Sequence, residues 1–247
     1  MSGLFSLSGR KALVTGANTG IGQAIAVALA SAGAEVTCAG RRGCDETLAA
    51  IVAAGGRGQE LHLDFADPMA ARELFDDADY SILVNNAGII RRADSTDLSE
   101  DDWDAVMDVN LKALFFTTQS FARALLARGE GGSVVNIASL LSFQGGIRVA
   151  SYTAAKHGVA GVTKILANEW AAKGINVNAI APGYIATNNT EALRADPERS
   201  RAILERIPAG RWGEPEDIGG TAAFLCSPAA RYIHGTVIPV DGGWLAR

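Results

Sequence analysis

Lys11-Ala12-Leu13-Val14-Thr15 runs directly into Gly16-Ala17-Asn18-Thr19-Gly20-Ile21-Gly22. In the stretch that follows, residues 21–32, Ile21, Ala24, Ile25, Ala28 and Leu29 recur at helical spacing before Gly33 ends it. This reads as a short apolar strand, a glycine turn and an amphipathic helix. The glycines stand as G-x-x-x-G-x-G, a spacing that permits a tight turn and a close backbone approach to a pyrophosphate. The helix start adds free N–H groups and the positive end of the helix dipole. A glycine loop alone is only a turn. Placed between the first strand and the first helix, it predicts nucleotide binding, with Gly16, Asn18, Thr19, Gly20, Ile21 and Gly22 at the phosphates.

The same alternation continues to the end of the chain. Further strands are predicted at 35–39, 59–63, 81–84, 133–138, 176–180 and 237–240. Helices are predicted at 46–54 (closed by Gly55-Gly56), 68–76, 99–128 with a break near Asn110, 151–173 and 215–226. Short strands separated by longer helices imply an α/β fold with a doubly wound, Rossmann-like parallel sheet covered by helices on both faces. No linker, repeat or low-complexity tract divides the sequence, so residues 1–247 are read as a single domain. Residues 188–208 interrupt the pattern with Arg194, Glu198, Arg199, Arg201, Glu205 and Arg206. Ligands of such sheets bind beyond the carboxyl ends of the strands, so a polar insertion after the sixth strand is either a substrate lid or a solvated surface helix.

Composition narrows the function. A net charge of −5 argues against a nucleic-acid partner. No run of eighteen apolar residues predicts a membrane helix, and residues 1–10 lack the charged and apolar regions of a secretory signal. Cys38, Cys44 and Cys226 are too few and too scattered for a metal site, as are His62, His157 and His234. Sparse thiols suit a cytoplasmic protein.

Two local patterns carry chemistry. Tyr152 and Lys156 lie four residues apart, on one helical face, which places an ammonium near a phenol. A neighbouring positive charge favours the phenolate, making the pair an acid-base candidate for an alcohol oxygen. The end of the second strand reads Gly40-Arg41-Arg42 with no acidic residue. An acid there would bind a ribose 2′-hydroxyl, whereas arginine accommodates a 2′-phosphate, so Arg41 and Arg42 favour NADP or tolerance of both dinucleotides.

Taken together, these motifs resemble the short-chain dehydrogenase/reductase family over nearly the whole chain. The matches are Thr15 to Gly22, Asp64, Asn85-Asn86-Ala87-Gly88, Asn110, Ser139, Tyr152-x-x-x-Lys156, and Pro182-Gly183 followed by Thr187. The resemblance implies Tyr152 as general acid/base, Lys156 lowering its pKa and holding the nicotinamide ribose, Ser139 on the substrate oxygen, and Asn110 anchoring a relay water. It also implies Asp64 at the adenine, Asn86, Ala87 and Gly88 along the cofactor pocket, and Pro182, Gly183, Ile185 and Thr187 around the carboxamide. The local alternatives are a turn-capping Ser139, a solvent-facing or kink-forming Asn110, and an ordinary turn at Asp64.

A narrower likeness lies in the second half. Residues 142–149, Asn168-Glu169-Trp170, residues 181–190, residues 207–213 and the tail 240–247 resemble the 2-dehydro-3-deoxy-D-gluconate 5-dehydrogenases (also called 2-deoxy-D-gluconate 3-dehydrogenases), with gluconate 5-dehydrogenases as relatives. The implied chemistry is hydride transfer between NAD(H) and a secondary alcohol or ketone of a sugar acid, in uronate breakdown. Arg41-Arg42 departs from the hydrophobic residues some of these proteins carry, which keeps NADP(H) open. A 3-oxoacyl carrier-protein reductase and a non-catalytic dinucleotide sensor are the alternatives.

A sugar acid needs a carboxylate partner, and arginine's fork serves best. Arg148 is the leading candidate, from its place between Ser139 and Tyr152, with Arg92 and Arg91 behind it and Gln144, Asn188 and Asn189 as hydroxyl partners. The bland reading makes these arginines surface charges. The family resemblance also implies a homotetramer, and Trp244 to Arg247 are within reach of a neighbouring subunit.

Overall fold

In the computed structural model, which describes residues 3–76 and 78–247, the sheet has seven parallel strands in the order β3-β2-β1-β4-β5-β6-β7. The strands are β1 (Lys11–Thr15), β2 (Glu35–Gly40), β3 (Arg57–His62), β4 (Ile82–Asn85), β5 (Gly132–Ile137), β6 (Ile175–Pro182) and β7 (Val237–Val240). The first two residues of the stretch read as lacking a secretory signal, and Asp77, lie outside the described residues. The doubly wound sheet predicted from the alternating pattern is present.

Alternation along the strands divides the core. Ala12, Val14, Val36, Val84 and Ile180 face α1 (Gly20–Ser31), α2 (Asp45–Ala53) and α8 (Pro215–Cys226), which contribute Ile25, Leu29, Ile51, Ile218 and Leu225. Leu13, Leu83, Val134 and Val177 face the other way, onto Phe121 and Leu125 of α4 (Ala113–Arg128) and Leu166 and Trp170 of α5 (Ala150–Trp170). The inner strands β1, β2, β4, β5 and β6 bury both faces and are apolar, whereas the edge strand β3 is exposed and carries Arg57, Glu60 and His62. Among the described residues, no helix is long and apolar enough to cross a membrane.

Three segments differ from the sequence expectation in informative ways. Residues 68–76 are a chain of turns, with i to i+3 bonds such as Ala70 N–H to Asp67 O and Arg72 N–H to Met69 O, where a helix was expected. Ala71 and Phe75 supply the helical spacing. Phe75 packs edge-on against Tyr80 and Phe121, so two anchors hold a segment too short to be a stable helix by itself. The expected break near Asn110 is a π-helical turn over Asp108–Lys112, between α3 (Glu100–Met107) and α4. Finally, residues 188–208 hold a short α6 (Glu191–Ala195) and α7 (Pro197–Arg206), the latter started by the Asp196 side chain and Pro197. The root of this excursion is closed by a bridge between Ile185 and Gly213, with Ala186 N–H donating to Gly213 O at 2.8 Å.

In the C-terminal segment Trp244 packs against Tyr184 and the Arg206 guanidinium at the end of α7.

Candidate active site

Strand order reverses between β1 and β4, so the loops leaving these two strands part and open a crevice at their carboxyl ends. The cleft there has a volume of about 750 Å³. Its floor is the glycine loop. Gly16 and Gly20 have φ of 63° and 58°, and a Cβ on Gly22 would stand 2.2 Å from the Gly16 carbonyl oxygen. Only glycine fits that approach.

Neighbouring polar groups lock the loop in place. Thr15 Oγ1 accepts from the N–H groups of Asn86 (3.0 Å) and Ala87 (2.9 Å). The Asn86 amide in turn donates to the carbonyls of Thr15 and Gly16, both at 3.0 Å. The start of α1 has no side-chain cap and no acidic residue in its first turn. Its free N–H groups and positive dipole end therefore face the cleft, a donor set that fits a pyrophosphate.

The far end of the cleft is lined by Gly40, Arg41, Arg42, Leu63, Asp64 and Phe65. Arg41 and Arg42 are exposed, and no carboxylate follows β2, which leaves two cations where a 2′-phosphate would lie. Asp64 Oδ1 accepts from the Ala66 N–H at 3.0 Å, so part of its capacity holds its own turn. On the opposite wall Pro182, Gly183, Ile185 and Thr187 follow β6, with Thr187 Cγ2 3.3 Å from where a Gly20 Cβ would be.

Ser139, Tyr152 and Lys156 meet at the inner end of the cleft. Lys156 is buried; its Nζ donates to the Ile137 carbonyl at 2.6 Å and lies 5.5 Å from the Tyr152 ring centroid. Burial pulls its ammonium down to about 8. Burial also pushes the Tyr152 phenol above its ordinary range, while the Ser139 hydroxyl and the positive charge of Arg92 pull the other way. In the protein alone the ammonium is turned to the Ile137 carbonyl, and desolvation is the largest influence on both groups. Asn110 is buried in the π-turn, where its amide exchanges two bonds with the Ile89 main chain, each at 2.8 Å. It is thus neither solvent-facing nor idle; it fixes the loop after β4.

The arginines are sorted differently from the sequence reading. Arg148 does not line the cleft. Its guanidinium pairs with Asp94 at 3.1 Å, and it is the one non-glycine residue with positive φ among the described residues (62°). Arg92 also stands outside the cleft lining; its positive charge is the smallest of the named influences on the Tyr152 phenol, and it donates to the Asn189 carbonyl at 3.4 Å, whereas Arg91 lines the cleft and pairs with Asp102 at 3.0 Å. Asn188 lines the cleft, whereas Gln144 does not, and its carbonyl accepts from Trp244 Nε1 at 3.4 Å. Asn189 lines the cleft beside Asn188, whereas the residues that sequence reasoning missed include Leu63, Ile89, Ala105 and Val109. They are mostly apolar lining groups whose pattern in the sequence is that of ordinary core.

Comparison with known proteins agrees with this geometry. The family profile described as enoyl-(acyl carrier protein) reductase matches residues 16–245. Proteins named 2-dehydro-3-deoxy-D-gluconate 5-dehydrogenase are 53% identical in Dickeya dadantii (98% of each chain covered) and 54% identical in Bacillus subtilis (98% of this chain, 97% of the relative). The crystal structure of an Agrobacterium tumefaciens protein assigned as a 2-deoxy-D-gluconate 3-dehydrogenase, with bound NADP, superposes with a TM-score of 0.99 at 74% identity over all of both chains. The chain belongs to the short-chain dehydrogenase/reductase family. Within that class it is an NAD(P)-dependent oxidoreductase acting on CH–OH groups.

Proposed function

We propose that this oxidoreductase acts on the 5-hydroxyl of 2-dehydro-3-deoxy-D-gluconate, or on the corresponding ketone in reverse. The reading is carried by the full-length identity to relatives of that name. The charge of Arg92 beside the reacting phenol fits it, because a sugar acid brings a carboxylate to the same place.

The chain's own residues then divide the work. Tyr152 takes the hydroxyl proton as phenolate in oxidation and returns it in reduction. Bound nicotinamide supplies the hydride acceptor or donor. Ser139 holds the substrate oxygen and stabilises charge as it develops there. Lys156 binds the nicotinamide ribose and, once turned from Ile137 toward the phenol, favours the phenolate. Asn110 has its amide occupied by Ile89, so it anchors the relay water through its main chain. Asn18, Thr19, Ile21 and the glycines hold the pyrophosphate, and Arg41 with Arg42 extends cofactor use from NAD(H) to NADP(H).

Arg92 takes the carboxylate and Asn188 a hydroxyl. Residues 188–208 serve as the lid, since Asn188, Asn189 and Thr190 already form one lip of the cleft. Arg148 and Gln144 act behind this layer. A homotetrameric, cytoplasmic enzyme is the setting that the family resemblance favours.

The test is selectivity for the negative charge. Wild-type enzyme should turn over the sugar acid with a far lower KM than an uncharged polyol of the same length. Arg92→Ala should raise the KM for the acid far more than for the polyol, with kcat falling on both as the Tyr152 phenol loses a neighbouring positive charge. Equal KM values for acid and polyol in the wild type would remove the carboxylate assignment.

A further inference from the structure

The last seven residues touch three parts of the site at once. Asp241 lies against Gly183 so closely that a Cβ on that glycine would be 2.5 Å from the Asp241 Cα. The Asp241 carboxylate accepts from the N–H groups of Gly243 (2.8 Å) and Leu245 (2.9 Å), which fixes the turn that presents Trp244. The Ala209 N–H donates to the Gly242 carbonyl at 2.9 Å, and Arg247 donates to the carbonyl of Glu205, so the turn is stitched to the end of α7.

Trp244 is the centre of this joint and is only 5% exposed. The Arg206 guanidinium, at the end of α7, stacks 4.0 Å from its ring centroid. Tyr184, just past the cofactor wall, packs at 4.6 Å. Ile203 and Ile207 of the lid share its apolar cluster with Leu140, the residue after Ser139. Its indole N–H can only donate, so the Gln144 carbonyl turns toward it and the Gln144 amide N–H groups point elsewhere.

We infer that Trp244 is a positioning residue for substrate binding: it ties the lid (α7) to the Ser139 loop, so that the C-terminal turn sets the lid's place over the substrate end of the cleft. The inference rests on the reading of residues 188–208 as the lid. Deleting the indole leaves the pyrophosphate and ribose ends untouched, so its effect falls on the sugar acid and not on the dinucleotide.

The experiment compares Trp244→Ala, Trp244→Phe, Arg206→Ala and Asn188→Ala in the full-length protein. It measures KM for 2-dehydro-3-deoxy-D-gluconate, the Kd for NADP, and tryptic cleavage after Arg194, Arg199, Arg201 and Arg206. Trp244→Ala should raise the KM by about ten-fold, as expected of a misplaced substrate-positioning element. The NADP Kd should stay within about two-fold of wild type, because no group at the phosphates has moved. Lid cleavage should accelerate ahead of cleavage elsewhere. Trp244→Phe and Arg206→Ala should shift KM and cleavage in the same direction, by less. A merely structural tryptophan would instead lower stability and speed all tryptic sites together, with KM unchanged in the folded fraction. That result overturns the inference, as does an unchanged KM in both Trp244→Phe and Arg206→Ala should Trp244→Ala fail to fold. Asn188→Ala separates the two readings. If it alone raises KM, the lid stands and the tail's role falls; if none of the four does, the lid reading falls as well.

Discussion

The two ends of the cleft recognise ligand by different means. At the dinucleotide end the contacts come from backbone: glycines that admit no Cβ, an uncapped helix start, and loops cross-linked by Thr15 and Asn86. At the inner end the groups facing the cleft are side chains: Ser139 and Asn188 beside loops and Tyr152 on α5. Backbone recognition depends on conformation, so it is tied to a few glycines at fixed spacing and to strand order. Side-chain recognition depends on which way each loop turns, which is settled by contacts far apart in sequence. The first end suits a constant ligand, and the second can be retuned for a different sugar acid without disturbing the sheet.

Substitutions should separate the two ends. The largest effect is expected for Tyr152→Phe, which removes the proton donor and keeps the ring: kcat should fall by about 10³-fold, within the usual range for losing a general acid/base, with NADP binding unchanged. Wild-type turnover in that variant would remove the phenol from the chemistry. Arg92→Ala follows. Loss of a charge-assisted carboxylate contact should raise the sugar-acid KM by about 30-fold. A matching rise in the NADP KM would mean that the two ends are not independent.

Lys156→Met tests the electrostatics of the inner end. Burial holds this ammonium down to about 8 in the folded protein, from an ordinary lysine value of about 10.4. Between those values the unfolded chain keeps a proton that the folded protein has released, so wild-type stability rises with pH across that window. Below pH 8 the buried charge is a standing penalty. Relief of about 3 kcal/mol, less about 1 kcal/mol for the lost bond to Ile137, should make the inactive variant more stable by about 2 kcal/mol at pH 7. Denaturant melts should show this advantage shrinking as pH rises from 8 toward 10. An advantage independent of pH would point to packing instead.

The smallest effect is expected at the exposed end. Arg41→Ala with Arg42→Ala should weaken NADP by about ten-fold relative to NAD, because two solvated arginines each contribute modestly to a phosphate. No change in the NADP-to-NAD ratio would leave them as surface charges.

The same division explains what the sequence made legible. The strand–glycine–helix opening, the sheet and the Tyr152–Lys156 pair were readable because periodicity and spacing are local. The break at Asn110 was readable as a polar residue in an apolar helix, though not as a π-turn, since what holds it there is Ile89, twenty-one residues earlier. Residues 68–76 misled because Ala71 and Phe75 mimic a helical stripe while serving as two separate anchors. Arg148 is close to Tyr152 in the chain, but its left-handed backbone and its pairing with Asp94, outside the cleft lining, are set by contacts that the sequence does not display. Ile203 and Ile207, spaced i and i+4 in a charged segment, were the available sign that residues 188–208 have an apolar face.

The central claim is that the Tyr152 phenol serves an anionic sugar acid. It is tested most directly by assaying the purified wild-type protein on 2-dehydro-3-deoxy-D-gluconate with NAD and NADP, beside acetoacetyl thioester with NADPH. The account predicts dinucleotide reduction coupled to oxidation of the sugar acid at C5, at a kcat/KM well above that for the thioester. Turnover of the thioester with none of the sugar acid would contradict it.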